Sequence, residues 1–227
     1  MDKEIIADSC WAISYHSDAS KNKIQVVVES KVIPRIIRNL EEPSMAMLVP
    51  SIRILGNIST GTADHTNELL ASGILSPLER VLDHHKKVVR REACWVISNI
   101  AAGNRTQVEA ILARETLLKR ILELFDTDSN DVRREICCIF SNLAHSGEPT
   151  LIFNLYKNIN VIRYYVNLLA AEDYKSVEVA LECLFIVLAH GEKFRVNNEN
   201  PLILDLKSIS AVEILEKLQY HKSDLVY

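Results

Sequence analysis

The sequence predicts an all-α fold built from tandem helical repeats. The 227 residues include only six Gly and six Pro, too few for a turn-rich β fold, so helices should dominate. Hydrophobic residues make up 48% of the chain and charged residues 25%, which is typical of a folded protein with a sizeable core. The third observation is an internal repeat with a period of about 42 residues.

The repeat is visible in two independent registers. One aligned position steps by 42, 42, 43 and 44 residues, through Tyr15, Asn57, Asn99, Asn142 and Ile186. A second position steps by 42, 42 and 43 residues, through Lys31, Gly73, Glu115 and Asn158. Three helices per period of this length is the armadillo/HEAT pattern, in which units bury their apolar faces against one another. The sequence therefore predicts a single armadillo-repeat domain, a right-handed superhelical solenoid, over residues 1–227.

The repeat boundaries follow from the apolar periodicity and the turns. Residues 1–18 form a partial repeat with one helix at 5–17. Four full repeats are expected at 22–61, 62–103, 104–147 and 148–191. Residues 192–227 should form a loop and an incomplete terminal repeat, whose helix is expected at 211–221. In the first full repeat the three helices are expected at 24–30, 33–40 and 45–59.

The most informative stretch is 91–104, which reads as a helix ending at Gly103, a residue expected to form a left-handed C-terminal cap. Trp95 and Asn99 are four residues apart and therefore share one stripe of the helix, which Glu92 extends by a turn. An exposed row of carboxylate, indole and carboxamide suits an extended cationic peptide. The alternative for Trp95 and Asn99 is ordinary core packing, and for Glu92 it is a solvated ion pair with a neighbouring arginine.

Composition and motifs argue against other functions. The net charge of −4 disfavours nucleic acid and membrane surfaces and suits a basic partner. The five cysteines form no CxxC or Cys/His cluster, so we expect buried, reduced thiols and neither a metal nor a cofactor. No Ser/His/Asp or Cys/His constellation and no glycine-rich phosphate loop is apparent, so the chain is not expected to be an enzyme.

Three stretches carry a family resemblance: 7–15 (ADSCWAISY), 53–61 (RILGNISTG) and 92–105 (EACWVISNIAAGNR). They closely resemble importin-α (karyopherin-α), the adaptor that reads nuclear localisation signals. Residues 215–221 resemble the start of that family's final armadillo repeat. The likeness covers the C-terminal half of an importin-α, which carries the minor signal-binding site. The family's importin-β-binding segment lies outside this stretch, so importin-β would be a partner only if that segment is present in the full protein.

The resemblance implies a non-catalytic adaptor that shuttles between cytoplasm and nucleus and holds lysine/arginine-rich signals of cargo proteins in a concave groove. Trp95, Asn99 and Glu92 would hold one basic side chain and the peptide backbone. A lysine pocket would be lined by Asn57, Ser59, Gly61 and Thr66. The remaining implied residues are Glu135 and Asn142 in the next repeat, Trp11 and Tyr15 near the linker of a bipartite signal, and Arg53, which interrupts the aromatic ladder.

Departures from the family pattern keep a second interpretation open. Cys138 stands where the family usually has Trp, and Ile186 replaces the Asn of the last full repeat. Ala63 replaces an acidic residue, although Asp64 is adjacent. The alternative is an armadillo scaffold whose C-terminal repeats bind an export receptor or a nucleoporin, while the peptide groove is vestigial.

Overall fold

The computed structural model describes residues 3–18, 20–42, 44–209, 211–223 and 226. Within these ranges the regular elements are helices, apart from an isolated bridge between Val196 and Glu199. The chain divides into two compact units, Met1–Glu123 and Leu124–Tyr227. Among the described residues, no helix combines the length and apolar character needed to cross a membrane.

The first unit contains the partial repeat and the first full repeats. Its helices are α1 (Lys3–Ser17), α2 (Lys21–Glu29), α3 (Ile33–Arg38), α4 (Met45–Ser59), α5 (Ala63–Ala71), α6 (Leu75–Val81), α7 (Lys87–Ala101) and α8 (Arg105–Leu112). Helix α9 (Glu115–Thr127) begins in this unit and ends in the second. A 3₁₀ turn, Asn39–Glu41, replaces the last residues expected in the helix at 33–40.

The second unit contains the remaining repeats. Its helices are α10 (Asn130–Ser146), α11 (Pro149–Ile159), α12 (Val161–Leu169), α13 (Tyr174–Gly191), α14 (Pro201–Ser208) and α15 (Ala211–Leu218). Helix α14 was missed by the sequence analysis. Asn200 caps it by accepting a hydrogen bond from the Leu202 backbone N–H at 2.9 Å, and Leu202 and Leu206 are buried.

The third helix of each repeat forms the centre of each unit. In the first unit α4 packs against both α1 and α7, and in the second α10 packs against α13. Ile54 and Leu55 of α4 and Ile97 and Ile100 of α7 are fully buried. Burial of each such side chain stabilises the fold by about 1.5–3 kcal/mol. Because the apolar stripe of each of these helices is buried, its polar stripe lies at or near the surface.

The expected left-handed cap at Gly103 is wrong, because Gly103 does not have a positive φ. The glycine that does have one is Gly73, with φ of 79°. A Cβ atom on Gly103 would lie 1.7 Å from Oε1 of Gln107. That oxygen accepts from the Asn104 backbone N–H at 3.0 Å and completes a capping box at the start of α8. Glycine is therefore required by the close approach of a side chain rather than by the backbone conformation.

Candidate functional site

The Trp95 ring lies at the surface, packed against a glycine of the neighbouring helix. Its side chain is half-buried on α7, and its ring lies against Gly56 of α4. A Cβ atom on Gly56 would lie 2.0 Å from Cζ3 of Trp95, so any larger residue would displace the indole. The sequence analysis missed this role of Gly56. The available signal was a glycine inside an otherwise apolar helix, which often marks a close approach.

Asn99 lies one turn after Trp95 and also contacts Gly56. Its Nδ2 donates a long hydrogen bond of 3.4 Å to the Gly56 carbonyl oxygen. The carboxamide is half-buried. This one bond orients the side chain so that its NH₂ group faces α4 and its Oδ1 atom remains as an acceptor. Gly56 therefore positions both members of the pair predicted from the sequence.

Asn57 occupies the equivalent position one repeat earlier, but its amide is used within the protein. Only 7% of Asn57 is exposed. Its Nδ2 donates to the Ser14 carbonyl oxygen and to Ser17 Oγ, both at 3.0 Å. Both amide hydrogens therefore link α4 to α1. The predicted lysine-pocket role of Asn57 can rest only on its Oδ1 atom.

The predicted exposure of Glu92 is wrong. Glu92 is 5% exposed, and its carboxylate is paired with the guanidinium groups of Arg91 and, at 3.8 Å, Arg53. The two arginines remain substantially exposed, with 39% and 46% of their side chains accessible. Helical spacing places Glu92 on the stripe of Trp95 but does not show that arginines from α4 and α7 cover it. The carboxylate is thus neither a solvated ion pair nor an exposed anion.

A pocket of about 360 Å³ collects several predicted site residues at the ends of α4 and α7. Its lining residues are Ser59, Thr60, Gly61, Thr62, Ala63, Thr66, Asn99, Ala102, Gly103, Asn104 and Gln107. Ser59, Gly61, Thr66 and Asn99 were predicted from the sequence, and none of the lining residues is charged. We call this space the Asn99 pocket.

Three polar side chains of the Asn99 pocket donate hydrogen bonds to backbone carbonyl groups. Ser59 Oγ donates to the Gly56 oxygen at 2.6 Å, and Thr66 Oγ1 donates to the Ser59 oxygen at 3.4 Å. Asn99 Nδ2 also donates to Gly56. Each group therefore keeps oxygen lone pairs that accept hydrogen bonds but has a hydrogen already committed. Such a pocket favours a ligand that donates.

Helix ends add to this preference. Helices α4 and α7 end beside the pocket, and a helix C-terminus carries partial negative charge worth about 0.3–1 kcal/mol to a nearby cation. The facing N-termini of α5 and α8 are closed by capping boxes, from Thr62 with His65 and from Asn104 with Gln107. Their first backbone N–H groups are thus partly satisfied internally, which reduces their attraction for an anion.

A smaller pocket lies one repeat earlier. It has a volume of about 220 Å³, and its lining residues are Ser17, Asp18, Ser20, Lys21, Ile24, Asn57 and Thr60. Each is 42 residues before a residue that lines the Asn99 pocket. We call this space the Asn57 pocket. On α1, Trp11 and Tyr15 stack with ring centroids 5.7 Å apart, and Tyr15 is 69% exposed.

In the second unit the predicted residues Glu135 and Asn142 lie on α10 and are half-buried. Cys138 lies between them, and its Sγ atom is 3.9 Å from Sγ of the buried Cys183 on α13. The Cys183 hydrogen bond and burial raise the pKa of the Cys138 thiol, and the carboxylates of Glu135 and Glu182 raise it further. Cys138 is therefore a protonated, part-exposed thiol, unlike the indole of Trp95.

Known proteins share this fold. A sequence profile of the Armadillo/beta-catenin-like repeat matches residues 62–102. The designed armadillo repeat protein YIII(Dq.V1)4CPAF, solved in complex with peptide (KR)4, has a TM-score of 0.80 at 24% identity. That comparison covers 96% of this chain and 87% of the designed one. A second designed armadillo repeat protein, YIII(Dq)4CqI, has a TM-score of 0.82 at 22% identity, covering 99% and 90%. The fold is all-α and of the armadillo-repeat type.

The sequence is also similar to importin-α subunits. Importin subunit alpha-4 of Arabidopsis thaliana is 34% identical over 231 aligned residues, which cover all of this chain and 43% of the relative. Importin subunit alpha-1b of Oryza sativa subsp. japonica is 35% identical over 233 residues with the same coverage. This chain resembles importin-α along its whole length. The resemblance inferred from the sequence is thereby confirmed, and the chain spans under half the length of these relatives.

Proposed function

We propose that this chain binds lysine- and arginine-rich nuclear localisation signals of cargo proteins and acts as the cargo-binding part of a nuclear import adaptor. It performs no catalysis in this proposal and shuttles between cytoplasm and nucleus. The Asn99 pocket is the observation that carries the proposal. Similarity to importin-α subunits over the whole chain supports the same conclusion.

The pocket suits a lysine ammonium group. Lysine has three donors and no acceptor, and the pocket offers acceptor oxygens from Ser59, Thr66 and Asn99, each of which already donates one hydrogen to a backbone carbonyl. An anion would meet these lone pairs and the C-termini of α4 and α7, which repel it, while the N-termini of α5 and α8 have their first N–H groups partly satisfied by capping boxes. The geometry therefore favours an entering cation.

Trp95 and Asn99 act outside the pocket as well. The exposed part of the indole accepts the aliphatic stem and the positive charge of a Lys or Arg side chain, worth about 0.5–2 kcal/mol. The Asn99 carboxamide has one N–H beyond its bond to Gly56, and this N–H donates to a peptide carbonyl. Side-chain and backbone recognition are thus adjacent on α7.

Glu92 contributes through the arginines that cover it. Arg53 and Arg91 would otherwise present two positive charges beside Trp95, and Glu92 neutralises part of that charge. We therefore expect Glu92→Gln to weaken binding of a cationic peptide about threefold to tenfold, because it unmasks repulsion across the site. Titration at two salt concentrations measures this effect. A Glu92→Gln protein that binds the peptide as tightly as the unmodified chain at both would contradict this role.

The test uses the octapeptide (Lys-Arg)4 and a version with every lysine acetylated. Both tryptophans, Trp11 and Trp95, lie in the first unit, so Trp11→Tyr leaves Trp95 as the single tryptophan reporter of that unit. Saturable quenching or enhancement by (Lys-Arg)4 gives the dissociation constant. We expect Ser59→Ala with Thr66→Val to weaken binding about tenfold to a hundredfold, because hydrogen bonds to charged groups contribute about 1.5–3 kcal/mol.

Ser208→Ala is the matched control. Ser59 and Ser208 each end a helix and donate to the carbonyl three residues earlier, Gly56 and Asp205 respectively. The control removes the same local bond far along the chain from the pocket and should leave the dissociation constant unchanged. Equal binding of the acetylated peptide, or equal loss in the control and the pocket variant, would contradict the proposal.

Cys138 favours a second candidate function. Its thiol provides no aromatic wall for a cationic stem in the second unit, and Phe185 and Tyr220 of that unit are 74% and 88% exposed. These features suit a scaffold whose C-terminal repeats bind an export receptor or a nucleoporin. In that case (Lys-Arg)4 would leave Trp95 fluorescence unchanged. In either proposal importin-β would be a partner only if the full protein contains the importin-β-binding segment.

A further inference from the structure

Helix α13 exposes a large aromatic side chain at the surface of the described part of the second unit. Phe185 is 74% exposed, although it lies in the middle of a helix whose other face is buried. The four other phenylalanines of the chain, Phe125, Phe140, Phe153 and Phe194, are buried or partly buried. An exposed phenylalanine loses hydrophobic stabilisation that an apolar or cationic partner would restore.

Carboxylates share the exposed stripe of Phe185. Glu182 lies three residues before it and Glu178 seven, so all three stand on one face of α13. Within the described chain neither glutamate forms an ion pair. The nearest cation on this helix, Lys175, lies ten residues before Phe185, about 15 Å along the axis. The stripe is therefore an aromatic ring beside two carboxylates that form no ion pair with any described residue.

A third carboxylate comes from the adjacent helix α10. Cys138 of α10 contacts Cys183 of α13 with their sulfur atoms 3.9 Å apart. The carboxylates of Glu135 and Glu182 both act on the Cys138 thiol and raise its pKa, after the larger effects of the Cys183 hydrogen bond and burial. Glu135 lies one turn before Cys138 on α10 and Glu182 directly precedes Cys183 on α13, so each helix places one carboxylate near the contact between the two thiols.

We propose that Phe185, Glu182 and Glu178 of α13, with Glu135 of α10, form a second docking surface for lysine- or arginine-bearing peptide. In this proposal Phe185 supplies the aromatic contact that Trp95 supplies in the first unit and that Cys138 does not supply in the second. Its ring accepts the aliphatic stem of the cationic side chain, and the glutamates pair with the charge. The inference rests on the proposed function because it assumes the same class of partner. It differs in assigning that partner to a surface of the second unit.

The distribution of aromatic residues allows each unit to be observed separately. Both tryptophans lie in the first unit, and all five phenylalanines lie in the second. Protein labelled with 4-fluorophenylalanine gives fluorine resonances from the second unit alone, and Phe185→Leu assigns the Phe185 signal. The probe is (Lys-Arg)4, titrated into the full chain while Trp95 fluorescence is recorded in parallel.

We expect the Phe185 resonance to shift saturably with peptide, also in Trp95→Ala/Asn99→Ala protein. Glu178→Gln/Glu182→Gln should raise the dissociation constant read at Phe185 about threefold to tenfold, as expected for exposed charge pairs. Glu213→Gln/Glu216→Gln is the matched control, because it removes the same charge from exposed positions of α15. It should leave the Phe185 titration unchanged.

Three results would overturn the inference. The first is a Phe185 resonance that stays fixed while Trp95 reports bound peptide. The second is a shift that follows protein concentration without peptide, which would assign the surface to a second copy of this chain. The third is an equal effect of the two glutamate pairs. The proposed function fails by a different result, namely unchanged Trp95 fluorescence at saturating peptide.

Discussion

The Asn99 pocket and the Asn57 pocket occupy the same place in successive repeats but differ in chemistry. In the Asn99 pocket the lining residues are uncharged and Asn99 makes one long bond of 3.4 Å to Gly56. In the Asn57 pocket both amide hydrogens of Asn57 are bonded to α1, and Asp18 and Lys21 add opposite charges to the lining. The repeated asparagine is thus half-buried with one long bond in one repeat, and it is buried and doubly bonded to the neighbouring helix in the preceding repeat.

The two pockets also differ in the side chain that occupies the aromatic position beside them. At the Asn99 pocket Gly56 lets the Trp95 ring lie directly on α4. At the Asn57 pocket the corresponding aromatic position is taken by Arg53, which pairs with Glu92. An arginine side chain presents no flat apolar surface like that of an indole. The aliphatic part of a Lys or Arg side chain therefore has less apolar surface to contact beside the Asn57 pocket. Recurrence of Asn alone is therefore a weaker sign of binding than Asn together with Trp and Gly.

The largest effect is expected from Gly56→Ala. The added methyl group would lie 2.0 Å from the Trp95 ring, so the indole must move, and Asn99 is disturbed as well because it is bonded to the carbonyl of the substituted residue. Displacement of both groups should weaken (Lys-Arg)4 binding at least about tenfold and destabilise the first unit by about 1–3 kcal/mol. Peptide titration and urea unfolding, both followed by Trp95 fluorescence, measure the two effects.

Gly73→Ala is the control for Gly56→Ala. Gly73 has φ of 79°, and a Cβ atom there meets nothing within 4 Å. The substitution strains the backbone without touching the pocket, so stability should fall while the dissociation constant stays the same. If Gly56→Ala behaved like Gly73→Ala, the indole would not depend on Gly56.

The next effect separates the two asparagines. Asn57→Ala removes two buried hydrogen bonds between α4 and α1, those to the Ser14 carbonyl and to Ser17 Oγ, so the free energy of unfolding should fall by about 1–3 kcal/mol. Asn99→Ala removes one long bond from a half-buried site and should change stability much less, while weakening peptide binding about tenfold. Equal effects of the two substitutions on both measurements would remove the distinction between the pockets.

The smallest effect is expected from Lys21→Ala. Lys21 lines the Asn57 pocket, where its charge repels an incoming lysine or arginine side chain. Its removal should strengthen (Lys-Arg)4 binding about twofold to fivefold, in line with the energies of exposed charge pairs. Lys23→Ala, on the same helix but outside the pocket lining, gives the same change in net charge. A gain of the same size in Lys23→Ala would attribute the effect to net charge alone.

Much of the architecture could be predicted because it repeats. The 42-residue period predicted helices close to those observed, and helix 45–59 has the expected bounds. Helix α14 was missed because its eight residues lie in the irregular terminal repeat, where the period gives no register. In the candidate site, Ser59, Gly61, Thr66 and Asn99 do line one pocket. The roles of all predicted binding residues stay predictions until peptide is titrated.

The sequence by itself determined which residues share a helix face, because helical spacing and repeat period are local properties of the chain. Tertiary structure alone decided what each face meets. It paired the buried Glu92 with Arg53 of α4, bonded the Asn57 amide to α1 and packed the Trp95 ring on Gly56. These outcomes depend on residues about 40 positions apart, whose contacts form only when one repeat packs on the next.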